Sequence, residues 1–218
     1  MGAGAMSAAD ETRSRLLEAA GRVFASRGFA SATVREIVKA AGANIAAVHY
    51  HFGDKEGLYT QALIAAHRAM LKLEPELEAF AEKAPAEALR RQIGQILRAV
   101  LDDQVTDWHR SLLLRELIEP TPASAALARE VLQPRLERLG ATFRRLRPDL
   151  EGRALQVMVF SLIGQCLFYK VSRGVVPHLT GWWFGPSDED FLADHITGVM
   201  LSALRAGAPA GTDGEARS

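Results

Sequence analysis

Apolar residues recur along this chain at three- and four-residue steps almost from end to end, the period of helices with one buried face. Leu16, Leu17, Ala20, Val23 and Phe24 mark the first such face, and Arg27-Gly28 closes it with a cation and a capping glycine. A short second helix is predicted from Val34 to about Ala41. Thr33 stands as its N-cap, Glu36 as the capping-box partner, and Gly42 ends it. Asn44 is placed to cap a third helix, Ile45 to His51, before Gly53-Asp54 breaks the chain. Asp54 then caps a fourth helix that starts at Lys55 and runs to about Leu73.

Beyond Pro75 longer helices are predicted, at roughly 76–82, 86–104, 107–118, 122–146, 150–173 and 188–206. The breaks fall at Pro85, Pro120, Pro122, Pro148 and a loop over 174–187. Pro134 lies inside the 122–146 segment and should kink it. No strand-like alternation is sustained and no repeat is visible, so the expected fold is all-α. Residues 1–9 and 207–218 are small, polar and rich in Gly, Ala and Pro, the composition of disordered tails.

Composition changes this picture little. With 48% hydrophobic and 24% charged residues the chain reads as an ordinary soluble protein. Its formal charge is zero, so overall basicity gives no pointer to nucleic acid. Residues 1–55 are mildly positive, with seven Lys/Arg against five acids. A single cysteine, Cys166, excludes an intramolecular disulfide and suits a reducing compartment. No uninterrupted apolar run reaches the ~18 residues of a membrane span, and no charged-then-apolar leader is seen. The expectation is a cytoplasmic protein without a membrane partner.

Three short helices with a glycine-containing turn between the second and third describe a helix-turn-helix. Val34, Ile37 and Val38 can bury one face of the second helix, and Val48 and Phe52 one face of the third. Ile45, Ala46, His49 and Tyr50 then fall on the outer face. Small Ala46 and Ala47 would let a helix sink into the major groove, where an alanine methyl can touch a thymine methyl. Lys55, at the start of the fourth helix, sits beside free backbone N–H groups that suit a phosphate.

Residues 41–59, AGANIAAVHYHFGDKEGLY, resemble the signature of the TetR family of repressors. Residues 13–42, RSRLLEAAGRVFASRGFASATVREIVKAAG, resemble the helices that precede it. The resemblance implies that Thr33, Arg35, Asn44, Ile45, Ala46, Ala47, His49, Tyr50 and Lys55 face DNA. Asn44, Tyr50 and Lys55 would take phosphate, while Ile45, Ala46 and His49 would approach bases. One departure stands out, because His49 replaces the first aromatic of the family's pair.

Farther along, RELIEPTPAS (115–124), Pro134 and GQCLFYKVSRG (164–174) resemble a CerR-like subgroup of the same family. That resemblance implies a C-terminal domain that binds a small, usually hydrophobic effector and forms the dimer. The implied organisation is a helix-turn-helix domain over 10–56, joined by helix 55–73 to an effector-binding and dimerisation domain over 74–206. Trp108, Arg115, Glu116, Gln165 and Tyr169 are the candidate pocket residues, and Ser161, Leu162 and Leu201 the candidate dimer interface.

Several features admit plainer readings. His49 and His51 lie two residues apart, about 200° around a helix, and cannot share one metal ion. Cys166 on an apolar helix face reads as an inert core thiol. Trp182, Trp183 and Phe184 could be a dimer contact, a structural cap or a pocket wall. No nucleophilic triad, metal-ligand spacing or phosphate-cradling glycine pattern argues for an enzyme, and no cofactor is implied. The rival to DNA binding is a helical protein-interaction module whose helix-turn-helix has been retired. Against that, the groove-facing side of the third helix carries no acid.

One helix-turn-helix offers too few contacts for operator affinity, so a twofold homodimer on palindromic double-stranded DNA is expected. Helices 150–173 and 188–206 would form its four-helix interface. Effector binding would shift the helix that begins at Lys55, change the spacing of the two recognition helices and release the operator.

Overall fold

The computed structural model describes residues 7–70, 83–101 and 107–206. The predicted helix 76–82 and most of both predicted tails lie outside the described residues. The described residues are helical with no strand, as the periodicity requires. They divide into two compact units. The first contains α1 (Ala8–Ser31), α2 (Val34–Ala41), α3 (Ile45–Phe52), α4 (Lys55–Met70), α6 (Asp107–Ile118), α7 (Ala123–Leu127) and a π-turn (Ala128–Leu132). The second contains α5 (Pro85–Leu101), α8 (Gln133–Leu146), α9 (Gly152–Val171), α10 (Val176–Thr180) and α11 (Glu189–Ala206). The sequence pattern groups α6 and α7 with the C-terminal helices, yet α6 packs on α1 and α4, and α7 on α4.

In the first unit each helix end has a local cause. Ser7 accepts from the Asp10 N–H and starts α1 within the stretch expected to be a tail. Gly28 adopts φ +77°, a left-handed conformation that breaks α1 where the sequence places its C-terminal glycine. Thr33 and Glu36 form the reciprocal capping box of α2, and Gly42 closes that helix at φ +60°. Phe24 and Tyr59 meet edge to face at 4.8 Å, with Phe29 5.0 Å from Tyr59. Around them Leu16, Ala20, Ile37, Val48, Leu58 and Leu63 complete a dry core. A large and a small residue fit α6 to α1. The buried Trp108 indole occupies the space that a Gly21 side chain would fill, and its N–H donates to Glu18 at 3.0 Å.

The second unit is built on α5, α9 and α11. Leu89, Ile93 and Leu97 recur every fourth residue on α5 and pack with Leu192, Ile196 and Met200 of α11. Ion pairs flank that seam: Arg90 reaches Asp194 at 2.5 Å and Asp190 at 2.9 Å, and Arg98 reaches Glu189 at 2.8 Å. The predicted kink at Pro134 takes the form of the π-turn over residues 128–132. Its wider turn accommodates a proline ring that would crowd the carbonyl four residues before it. The predicted loop 174–187 is partly helical, because Pro177 favours the first turn of α10 and Gly181 ends it at φ +77°.

α9 presents two faces. Met158, Val159, Leu162 and Cys166 are buried, while Val157, Phe160, Phe168 and Val171 are exposed. By length and composition this described helix is apolar enough to cross a bilayer, with mean hydropathy 1.5, where the sequence reading found no such run.

Candidate nucleic-acid interface

The turn between α2 and α3 is three residues, Gly42-Ala43-Asn44, and the two helices pack against each other. Asn44 caps α3 by accepting from the Ala47 N–H at 2.8 Å. Val48 is buried and Phe52 half-buried, which fixes the rotation of α3 about its axis. Ile45, Ala46, His49 and Tyr50 are consequently turned outward. Tyr50 is 82% exposed, an extreme value for a large aromatic side chain. Ala47 departs from the expected outward set, since it is half-buried against the core.

The rest of the candidate DNA-facing set surrounds this helix in the same unit. Thr33 is exposed, but its hydroxyl is committed to the α2 capping box with Glu36. Hydrogen bonds from Thr33 and the nearby Arg27 guanidinium hold the Glu36 carboxyl below its ordinary range. The Arg27–Glu36 pair, at 2.8 Å, also neutralises the acid nearest the turn. Arg35 and Lys39 are exposed on α2. Lys55 is anchored, its ammonium 4.7 Å from the Phe29 ring centre and 3.3 Å from the Ala30 carbonyl. Asp54 accepts from the Gly57 N–H at 2.8 Å, so one of the α4 donors reserved for phosphate is already used. Gly57 itself admits no side chain, because a Cβ there would collide with the Phe52 carbonyl.

His49 is the most constrained of the outward group. Its Nδ1 lies 2.7 Å from the Gly53 carbonyl oxygen, across the turn that closes α3.

Of the candidate pocket residues, Trp108, Arg115 and Glu116 belong to the first unit, and Gln165 and Tyr169 to the second. Trp108 is a packing residue of the α1–α6 contact. Glu116 is 3% exposed and accepts from Tyr59 Oη at 2.7 Å, from the Thr121 N–H at 3.0 Å, and from the Thr121 and Ser124 hydroxyls. This is a structural network of a fully satisfied acid. Arg115 pairs with Glu119 at 3.3 Å. Gln165 turns back on its own helix toward the Ser161 carbonyl, and its amide also meets Met200 Sδ. Tyr169 lines a small cleft of about 30 Å³ with Val100, Leu101, Trp183 and Phe184.

Leu162 is corrected as an interface residue: it is wholly buried in the core of its own unit. Ser161 is exposed beside it and Leu201 half-buried. Cys166 is buried as expected, and its thiol is pushed up to about 12 by loss of solvent. Sequence reasoning missed two other residues. Gln92 and Gln95, one turn apart on α5, are 9% and 7% exposed, and Gln92 Oε1 and Gln95 Nε2 meet no protein hydrogen-bond partner. The available signal was two glutamines inside an otherwise apolar helical period.

Comparison with known proteins places these features in context. Residues 16–62 match the family model described as bacterial regulatory proteins of the tetR family. Residues 85–206 match the C-terminal domain of the HTH-type transcriptional dual regulator CecR. The second resemblance is thus to the C-terminal domain of CecR. CecR of Shigella flexneri is 30% identical over 187 residues, covering 79% of this chain and 82% of that protein. The regulator AcrR of Shigella flexneri is 36% identical over 106 residues, and there the match spans 49% of this chain and 47% of AcrR. Among solved structures, AibR in complex with isovaleryl coenzyme A and operator DNA superposes with a TM-score of 0.58. It shares 22% identity over 87% of this chain and 98% of that one, a likeness of fold.

Proposed function

The chain belongs to the TetR family of bacterial transcriptional regulators, with a C-terminal domain of the CecR type, and on that footing we propose that it is a cytoplasmic, ligand-responsive repressor that binds palindromic operator DNA as a homodimer. The observation that carries this reading is the outward face of α3. Tyr50 is almost wholly exposed beside Ile45, Ala46 and His49, on a helix without a single acid. A monomer gains nothing by exposing that face, whereas a major groove offers thymine methyls, base edges and phosphates to cover it. Tyr50 and Lys55 take phosphate, Arg35 and Thr33 support them from α2, and Ile45, Ala46 and His49 approach bases.

The dimer reading is supported by the exposed stripe of α9. Val157, Phe160, Gly164 and Val171 lie on one side of the helix, flanked by Phe168 and Ser161. Phe191 and Val199 of α11 add exposed apolar area. Such a surface suits an isologous four-helix contact. An effector domain is supported by the unsatisfied Gln92 and Gln95 amides and by the aromatic cleft at Tyr169. The effector is a small, largely hydrophobic molecule, and its binding releases the operator. AibR, whose complex holds both operator DNA and isovaleryl coenzyme A, offers a precedent of fold for that double occupancy.

A mobility-shift titration with the DNA flanking the protein's own gene, at two salt concentrations, tests the reading. Tight binding that weakens steeply with salt and is lost in Tyr50→Ala protein supports it. A folded dimer that selects no sequence from a random duplex library would exclude it.

A further inference from the structure

His49 stands where the family's first aromatic is expected, and its surroundings give it a different task. A carbonyl oxygen can only accept a hydrogen bond, so the 2.7 Å contact with the Gly53 carbonyl places the ring proton on Nδ1. The neutral imidazole then presents Nε2 as an acceptor, on a side chain that is exposed beside Ile45 and Ala46. Phosphate oxygens are acceptors too and offer this nitrogen nothing. In the major groove the donors are the exocyclic amines, N6 of adenine and N4 of cytosine.

We propose that His49 is a specificity-determining residue that accepts a hydrogen bond from the exocyclic amine of one adenine or cytosine in each operator half-site. The assignment rests on the operator-binding reading above and refines one contact within it. Each base pair carries one such amine on one side of the groove, so an acceptor held in a fixed orientation dictates which strand must bear it. The fixed orientation comes from the α3–α4 turn. Gly53 adopts φ +80° to close α3, its N–H donates to the His49 carbonyl at 3.1 Å, and its own carbonyl holds the His49 ring. Turn and reader are therefore a single hydrogen-bonded unit.

The experiment compares wild-type protein with His49→Ala at pH 8. His49 is exposed and alanine favours helix, so the variant is expected to fold, and its circular dichroism and melting are recorded alongside. Both proteins first select from a random duplex library. The expected result is one half-site position that requires adenine or cytosine on a given strand for wild type and becomes degenerate in the variant, with the remaining positions unchanged. That base is then replaced by its des-amino analogue, purine for adenine or 2-pyrimidinone for cytosine. Wild type should lose about 3- to 10-fold per half-site, the scale of one neutral hydrogen bond, and the variant should lose nothing. Identical selected sites for the two proteins, or an equal loss on removing the amine, would overturn the assignment while leaving the operator reading intact. Failure of the wild type to select any site would instead overturn the operator reading on which the assignment rests.

Discussion

Tyr59 on α4 donates its hydroxyl to Glu116 on α6 across 2.7 Å, with both side chains almost entirely out of water. Glu116 also gathers the donors of Thr121 and Ser124, so one carboxylate ties α4 to the start of α7. Removing the two partners should have unequal effects. Tyr59→Phe leaves Glu116 with its other donors and should cost about 1 kcal/mol, whereas Glu116→Ala strands several buried donors and should cost about 3 kcal/mol. Urea midpoints measure both. The Tyr59 phenol is held well above its ordinary value, first by burial and then by Glu116. The unfolded chain releases this proton near pH 10 and the folded chain keeps it. Stability is thus fully present below about pH 10 and falls as pH rises above it. Tyr59→Phe should remove that part of the alkaline slope.

Gly21 faces the Trp108 indole with no room for a methyl group. Gly21→Ala should therefore displace the ring and cost about 2 kcal/mol, more than its gain in helix propensity returns. In a background with Trp182 and Trp183 replaced by Phe, Trp108 emission should shift to the red. An unshifted spectrum with unchanged stability would contradict the packing described.

Tyr50 and Lys55 should separate by stability. Tyr50 is 82% exposed, so Tyr50→Ala should leave melting within about 0.5 kcal/mol while weakening operator binding. If it contacts a phosphate through its hydroxyl, Tyr50→Phe should give much of the same loss. Lys55→Ala should weaken binding and lower the salt slope by about one per half-site. It should also destabilise the fold slightly, through the lost contacts with Phe29 and Ala30.

Phe160 and Leu162 make the corresponding test of the dimer. Phe160 is exposed and Leu162 buried on the same helix. Phe160→Glu should yield folded monomers by sedimentation, whereas Leu162→Glu should cost more than about 3 kcal/mol and unfold the second unit. Dimers of unchanged mass in Phe160→Glu would remove the α9 stripe from the interface.

Gln92 and Gln95 should be more valuable to a ligand than to the fold. Replacing either with Met removes an unsatisfied buried amide while nearly conserving volume, so melting should stay level or rise by up to about 1 kcal/mol. A fall of 2 kcal/mol or more would mean that the amides serve the apo fold.

The sequence by itself determined what depends on near neighbours. The capping box at Thr33 and Glu36, the Asn44 cap and the glycine breaks at 28, 42 and 53 are events within one helical turn, and each is found where the residues place it. Periodicity also told which side of α3 faces outward, because Val48 and Phe52 leave it one choice. Tertiary structure decided what depends on distant partners. Glu116 and Trp108 look like polar pocket groups in sequence, but Tyr59, 57 positions away, and Glu18, 90 positions away, turn them into packing residues. Leu162 and Phe160 are equally apolar in sequence, and packing against α5 and α11 buries one and exposes the other. His49 reads in sequence as a departure from a pattern. The carbonyl of Gly53, brought to its ring by the closure of α3, leaves one nitrogen with an open lone pair, and hydrogen-bond complementarity gives that nitrogen its partner.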